Sequence, residues 1–324
     1  MALLNMSRAV NKALGDAMAA DPTVILLGED IAEAGGSFGA TRGLLDRFGP
    51  ARVIGTPISE AAIAGAAVGA AMSGLKPVVE IMFMDFVTLT MDALVNQAAK
   101  ARFMFGGQGS VPMVLRTPHG GGMSAGPQHS QCLEAWFAHV PGLKVVVPSD
   151  ATTAYGLLRA AIEDPDPVVF IENKALYALK SEVADDAGAL PIGKARIARA
   201  GRDATIVAYG AAVGWALEAA ETLSQQGVEA EVIDLLSIQP WDEAAVLASL
   251  SRTHRLVVTH EAVEAYGPGA EIVARMADIG FDELDAPILR VASPFMPIPF
   301  AAALENAYRP NADKLVAAVL RTLA

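Results

Sequence analysis

Short runs of β-branched and other apolar residues alternate along the chain with longer stretches of helical period, the pattern of parallel sheets covered by helices on both faces. Residues 7–20 predict a helix with Ser7 as its cap, and 23–28 (TVILLG) a buried strand that puts Glu29 and Asp30 at its carboxyl end. A glycine-rich loop at 34–43 and a short strand at 53–55 follow. The next helix, 59–73, has Ala and Gly positions that permit close packing, and it leads to a strand at 76–86 and a helix at 88–103. A strand at 111–116 runs into HGGGMSAGPQH, from His119 to His129, too rich in glycine for regular structure. A strand at 143–147, a helix at 151–163 and a strand at 168–172 complete this layer system.

Residues 181–202 read as an exposed crossover, because Asp185-Asp186, Gly188, Pro191 and Gly193 favour solvent-facing chain. The expected domains are therefore 1–190 and 191–324. The second repeats the alternation in a compact parallel-sheet domain, with strands at 204–209, 230–235, 256–259 and 288–291 and helices at 212–226, 242–249, 270–279 and 312–323. No short-period repeat or low-complexity tract interrupts either half.

Composition adds a partner to this picture. The hydrophobic share is 53%, and counting the 29 Gly in place of the 5 Tyr raises it to about 60%, against a typical ~45–50%. Charged residues are only 19%, so apolar surface is expected to be hidden against other chains. The net charge of −12 offers no basic footprint for nucleic acid or for an anionic membrane. The most apolar uncharged stretch, 61–75, is shorter than the ~20 residues that span a bilayer. The N-terminal residues lack the features of a secretory signal, and the single Cys132 forms no internal disulfide and reads as a small buried residue. A cytoplasmic protein is expected.

Three segments could carry chemistry. In Thr56-Pro-Ile-Ser-Glu60, Glu60 starts an almost wholly apolar helix. Ser59 could simply cap that helix beside a carboxylate favoured by the dipole. Alternatively, a carboxyl held against apolar neighbours could share a proton with a bound heterocycle. Phe86 ends an apolar strand at the edge where ligands of parallel sheets bind, and could stack on a flat ring or belong to the core. The loop 119–129 sets two imidazoles beside flexible backbone, as proton transfer would need, or is a plain surface loop. Its glycine spacing is a weak phosphate signal, and the two histidines are too loosely placed for a metal pair. His139, His254 and His260 fit packing or surface roles. No nucleophile elbow, Walker loop or zinc signature occurs.

Taken in order, Gly28-Glu-Asp, Arg52-Val-Ile-Gly-Thr-Pro-Ile-Ser-Glu60, Pro77-Val-Val-Glu-Ile-Met-Phe-Met-Asp-Phe86, Asn96-Gln-Ala-Ala-Lys100, Gly126-Pro-Gln-His-Ser-Gln131 and Pro141-Gly-Leu-Lys-Val-Val-Val-Pro148 form a specific set. With Ile233-Asp-Leu-Leu-Ser-Ile-Gln-Pro-Trp-Asp242 and Gly267-Pro-Gly-Ala-Glu-Ile272, the chain resembles, over essentially its whole length, the beta subunit of the thiamine diphosphate-dependent decarboxylating component of 2-oxo acid dehydrogenase complexes. The resemblance implies an α/β protein with an N-terminal pyrimidine-type thiamine diphosphate-binding domain and a transketolase C-terminal-like domain that serves mainly assembly.

In that family the glutamate matching Glu60 bonds a ring nitrogen of the aminopyrimidine, and the tautomer this favours deprotonates the thiazolium carbon. That carbon attacks a 2-oxo acid, carbon dioxide leaves, and the acyl group passes to a lipoyl group. By the same resemblance Glu29, Ile58 and Phe86 join Glu60 around the cofactor, and His129 handles protons or acyl transfer at the reacting centre. The family's Gly-Asp-Gly motif, which holds magnesium and the diphosphate, is absent from the chain. An alpha subunit carrying it, an alpha2-beta2 heterotetramer and a lipoyl acyltransferase core are implied partners. Some members hold potassium on backbone oxygens at positions matching Met113, Ala161, Ile162, Asp164 and Asp166, where a plain helix-ending turn is the alternative.

Ser293-Pro-Phe-Met-Pro297 departs from the Asp that many relatives carry before their Pro-Ile-Pro run. Pyruvate, acetoin and branched-chain types are not separable from these residues. Half of a split transketolase and a non-catalytic scaffold subunit are the other readings. Gly126-Pro-Gln-His-Ser-Gln131 speaks against the first, and the retained Glu60, Phe86 and His129 against the second.

Overall fold

The computed structural model describes residues 2–184 and 187–324, so Met1 and the acidic pair Asp185-Asp186 of the expected crossover lie outside the described residues. Strand β1 (Ala2–Asn5) leads directly into helix α1 (Met6–Ala20). The helix cap is Asn5, whose side-chain oxygen accepts from the Arg8 N–H. Ser7, the expected cap, lies inside the helix and donates to the Phe38 carbonyl at 2.7 Å.

The chain divides into two units, one holding the residues up to His119 with Trp136–Ile192, the other Gly120–Ala135 with Gly193–Ala324. In the first, β2 (Val24–Glu29), α2 (Leu44–Phe48), β3 (Val53–Thr56), α3 (Glu60–Met72) and β4 (Lys76–Glu80) are followed by α4 (Ala99–Met104) and β5 (Val114–His119). After the short α5 (Glu134–Ala138) come β6 (Lys144–Val146), α6 (Ala151–Glu163), β7 (Val168–Asn173) and β8 (Lys180–Val183). Six of these strands run parallel in the order β6-β7-β5-β4-β2-β3. The central ones are buried on both faces, and each opens on apolar residues before a polar or charged one. Antiparallel pairing of β1 with β8 forms a separate ribbon that the pattern did not predict.

One predicted strand is shorter than expected. β4 stops at Glu80 instead of reaching Phe86, and Met84–Thr90 coil into a 3-10 helix. A π-helical stretch, Asp92–Ala98, leads from there into α4, so the predicted single helix is three unlike turns. The reason is packing. Met84 and Val87 are buried at helical spacing and the Phe86 N–H donates to the Phe83 carbonyl, so a run that is apolar but for Asp85 hides a change of period.

In the second unit β9 (Arg196–Arg199), β10 (Ala204–Ala208), α7 (Ala212–Ser224), β11 (Ala230–Asp234), the short β12 (Ser237–Gln239) and α8 (Glu243–Thr253) precede β13 (Leu256–Val263), α9 (Pro268–Ile279), β14 (Leu289–Ser293), α10 (Ala302–Tyr308) and α11 (Ala312–Leu323). The sheet order is β14-β13-β10-β11-β9; all its pairs are parallel except β9, which pairs antiparallel at the edge and makes the sheet mixed where a parallel one was expected. α7 and α11 cover one face through Ala216, Ala219, Ala220, Leu223, Leu315 and Val319.

Candidate functional site

Glu60 occupies the first turn of α3, where an apolar helix meets a Pro-containing approach. It is 6% exposed, and its carboxylate has no hydrogen-bond partner among the described residues. Ser59 does not cap the helix: its hydroxyl donates to the Pro57 carbonyl at 3.0 Å. Its backbone N–H donates instead to Glu29 Oε1 at 3.1 Å, tying the end of β2 to the start of α3. Glu29 is itself buried. Burial, helped by the nearby charges of Glu60 and Asp30, pushes its carboxyl above the usual range against the opposing pull of the Ser59 N–H. Two carboxyls thus sit side by side, one anchored and one with its oxygens open.

Ile58 projects beside them and is 84% exposed. An apolar side chain so displayed has no packing role within this chain. Phe86 is half-buried, on the 3-10 helix rather than at a strand edge. Its ring meets Phe83 edge-on, with centroids 5.9 Å apart, and Phe83 meets Phe38 edge-on at 6.0 Å. Phe38 stacks on Tyr177 at 4.6 Å.

That aromatic row ends in a charge cluster the sequence reading missed. Arg116 on β5 is 2% exposed and donates to Glu80 at 2.8 Å and to both oxygens of Glu172 at 2.7 and 2.9 Å. The Tyr177 hydroxyl also donates to Glu172, at 2.7 Å. Burial pushes Glu172 up against the attraction of Arg116, and pushes the Tyr177 phenol well above its ordinary value. The available signal was a charged residue placed after apolar pairs in each of three buried strands: Glu80, Arg116 and Glu172.

His119 is the last residue of β5 and is buried. His129 is half-buried in a turn, its N–H donating to the Gly126 carbonyl at 3.3 Å. The loop between them is irregular, as expected, but it is not loose. The N–H groups of Gly121, Gly122 and Ser124 end on Glu261 and Glu305, two further residues that sequence reasoning did not single out. His260 is fully buried, contacts the Ala262 carbonyl at 3.2 Å and stacks on Tyr209, and burial lowers its pKa. His254 closes α8 in left-handed conformation, 2.9 Å from the Glu283 carbonyl, and His139 is exposed.

Around the end of α6, the side chains of Asp164 and Asp166 are already engaged. Lys144 Nζ donates to Asp164 at 2.6 and 2.7 Å, and Arg102 pairs with Asp166. Met113, Ala161 and Ile162 are buried, and the Met113 carbonyl accepts the Val168 N–H. Only backbone oxygens of this group remain to face a cation.

Residues 3–180 match the family described as transketolase, pyrimidine binding domain, and residues 193–315 match transketolase, C-terminal domain. The chain is 50% identical over 322 residues to the pyruvate dehydrogenase E1 component subunit beta-2, mitochondrial, of Oryza sativa subsp. japonica, covering 98% of this chain and 86% of that one. It is 48% identical to the acetoin:2,6-dichlorophenolindophenol oxidoreductase subunit beta of Bacillus subtilis (strain 168), covering 99% and 97%. Among solved structures, a split gene transketolase described as an inactive beta4 tetramer superposes with a TM-score of 0.81 over 99% of this chain and 98% of that one. At 24% identity that likeness concerns the fold alone.

Proposed function

Since the chain belongs to the transketolase-like family of E1 beta subunits found in pyruvate and acetoin dehydrogenases, we propose that it is the beta half of a heterotetrameric, thiamine diphosphate-dependent enzyme that cleaves a 2-oxo acid or acetoin and passes the acyl group to a lipoyl carrier. The observation that carries this reading is Glu60 at the head of an apolar helix, a residue only 6% exposed whose carboxylate oxygens have no hydrogen-bond partner among the described residues. Such a group fits one ligand atom well: the ring nitrogen of a flat heterocycle, with which it can share a proton in a single hydrogen bond.

Bound thiamine diphosphate would supply the electron sink for decarboxylation, so the hard chemistry is the cofactor's. The chain's own residues bind and orient. Glu60 holds a proton at its carboxylate oxygen, against the aminopyrimidine. Glu29 fixes the Ser59 turn from which Glu60 projects, Ile58 and Phe86 give the ring apolar contact, and His129 handles the proton of the acyl-transfer step. Magnesium and the diphosphate belong to an alpha chain bearing the Gly-Asp-Gly motif that this sequence lacks. A potassium ion would sit on the backbone oxygens of Met113, Ala161, Ile162, Asp164 and Asp166, tightening the end of α6, and potassium raising the melting temperature where sodium does not would reveal it.

The lipoyl carrier belongs to an acyltransferase core, which the second unit attaches to the enzyme. The compartment proposed is the cytoplasm; no helix among the described residues is long and apolar enough to cross a membrane. The test is reconstitution with the alpha chain and a panel of 2-oxo acids and acetoin. Glu60→Gln is expected to lower turnover by about 10²–10⁴-fold, the usual worth of a positioned proton-transfer group, with assembly intact. Full activity in that variant, or no turnover of any panel member by the unaltered pair, would sink the proposal.

A further inference from the structure

We infer that Glu305 and Glu261 are the positioning residues of the loop that carries His129, an inference that rests on the role proposed above for that histidine. Glu305, on α10, is 2% exposed; one carboxylate oxygen accepts the Gly122 N–H at 2.9 Å and the other the Ser124 N–H at 3.0 Å. Glu261, near the end of β13, accepts the Gly121 N–H at 2.8 Å and the Arg309 guanidinium at 2.6 Å. Arg309 in turn lies over the Trp215 ring, 5.0 Å from its centroid. Three N–H groups within four residues of loop are therefore held by two buried anions, and hydrogen bonds to a charged acceptor are about twice as strong as neutral ones.

The glycines show why the loop has this composition. Gly122 and Gly126 have φ of +95° and +76°. A Cβ at Gly121 would lie 2.6 Å from the Ile298 side chain, and one at Gly126 would lie 2.1 Å from the Phe300 ring. Such a loop would wander if unheld, because glycine loses the most backbone freedom on ordering. The carboxylates and the close approach to Ile298 and Phe300 remove that freedom. The turn that starts at Gly126 then presents His129 from a fixed base.

Position matters here because a proton-transfer group works only within about 2.6–3.2 Å of its target, and misplacement by about 1 Å costs on the order of 10²-fold. Glutamine cannot replace Glu305 conservatively. It offers one acceptor and sets an NH2 group against the second N–H.

The experiment uses the assembled complex of this chain with its alpha partner. In Glu305→Gln, hydrogen–deuterium exchange over residues 120–131 is expected to rise while the peptide containing Glu60 is unchanged. The kcat should fall about tenfold or more, with KM and thiamine diphosphate affinity held within about twofold. Combined with His129→Ala, the loss should be no greater than that of His129→Ala alone, the signature of one residue acting through another. Phe300→Ala, an exposed ring whose removal spares the core, should give the same pattern more weakly. Unchanged exchange over 120–131 in both variants would overturn the clamp, and additive losses with His129→Ala would overturn the positioning role. Full activity of His129→Ala would refute the role of the histidine instead, and the exchange result would still decide whether the carboxylates hold the loop.

Discussion

Glu29 and Glu60, at the end of β2 and the start of α3, show how two like residues acquire different duties. Glu29 accepts the Ser59 N–H and is buried beside a second carboxyl, so its folded-state pKa lies above the ordinary carboxylate value. A raised acid binds more protons folded than unfolded. Its ionisation therefore costs stability, fully so above the raised pKa, and the cost fades as pH falls through that value toward the ordinary one. Glu29→Gln keeps an oxygen for the Ser59 N–H and removes the charge. Its melting temperature at pH 7.5 is expected to exceed that of the parent, because the ionised carboxyl is the form that burial disfavours. The gap should narrow as pH falls through the raised value and close below the ordinary carboxylate range. A constant gap across that range, followed by calorimetry, would mean that the charge is not the source.

At the scale of elements, legibility followed the local signals. The bounds of α6 were readable because Asp150 and Thr153 form a reciprocal capping box, a purely local device. Those of α11 were readable from Asn311 and a strongly one-sided helix. The end of β4 was not, because residues 81–86 are apolar but for Asp85 and fit either geometry, and the packing of Phe83 on the distant Phe38 and on Phe86 goes with the 3-10 turn. Glu60 was legible as a carboxylate at a helix start, whereas Glu261 and Glu305 lie more than 130 residues from the loop they hold and carry no motif. Arg116 belongs with these: it joins β4, β5 and β7 at their carboxyl ends through Glu80 and Glu172. Arg116→Met would leave two buried carboxylates facing each other without a cation. Removing one partner of a buried pair costs about 3–5 kcal/mol, a loss that urea denaturation of the purified chain would register. A loss under about 1 kcal/mol would mean that water or the Tyr177 hydroxyl already satisfies Glu172.

For the whole molecule, part of the apolar content lies on surface that this chain leaves uncovered. α3 buries Ile63, Ala64, Ala67, Val68 and Ala71 but exposes Ala61, Ala62, Gly65, Ala66, Gly69 and Met72, a stripe of small residues on its outer face. Leu89, Phe103, Met104 and Phe105 are exposed in the same unit. Small residues on a helix let another backbone approach closely, and large exposed apolar area marks an interface. A Cβ added at Gly65 or Gly69 would meet nothing within 4 Å in this chain. Gly69→Leu should therefore help the isolated helix by about 1 kcal/mol through propensity and leave the fold of the chain unchanged by circular dichroism. In the proposed heterotetramer the added side chain should obstruct any chain packed against this face. Sedimentation of the co-expressed subunits is expected to show loss of the tetramer, and activity should fall with it. If Gly69→Leu assembled normally, the outer face of α3 would be free in the complex, and the exposed Phe103–Phe105 segment would be left as the surface through which the apolar excess is hidden.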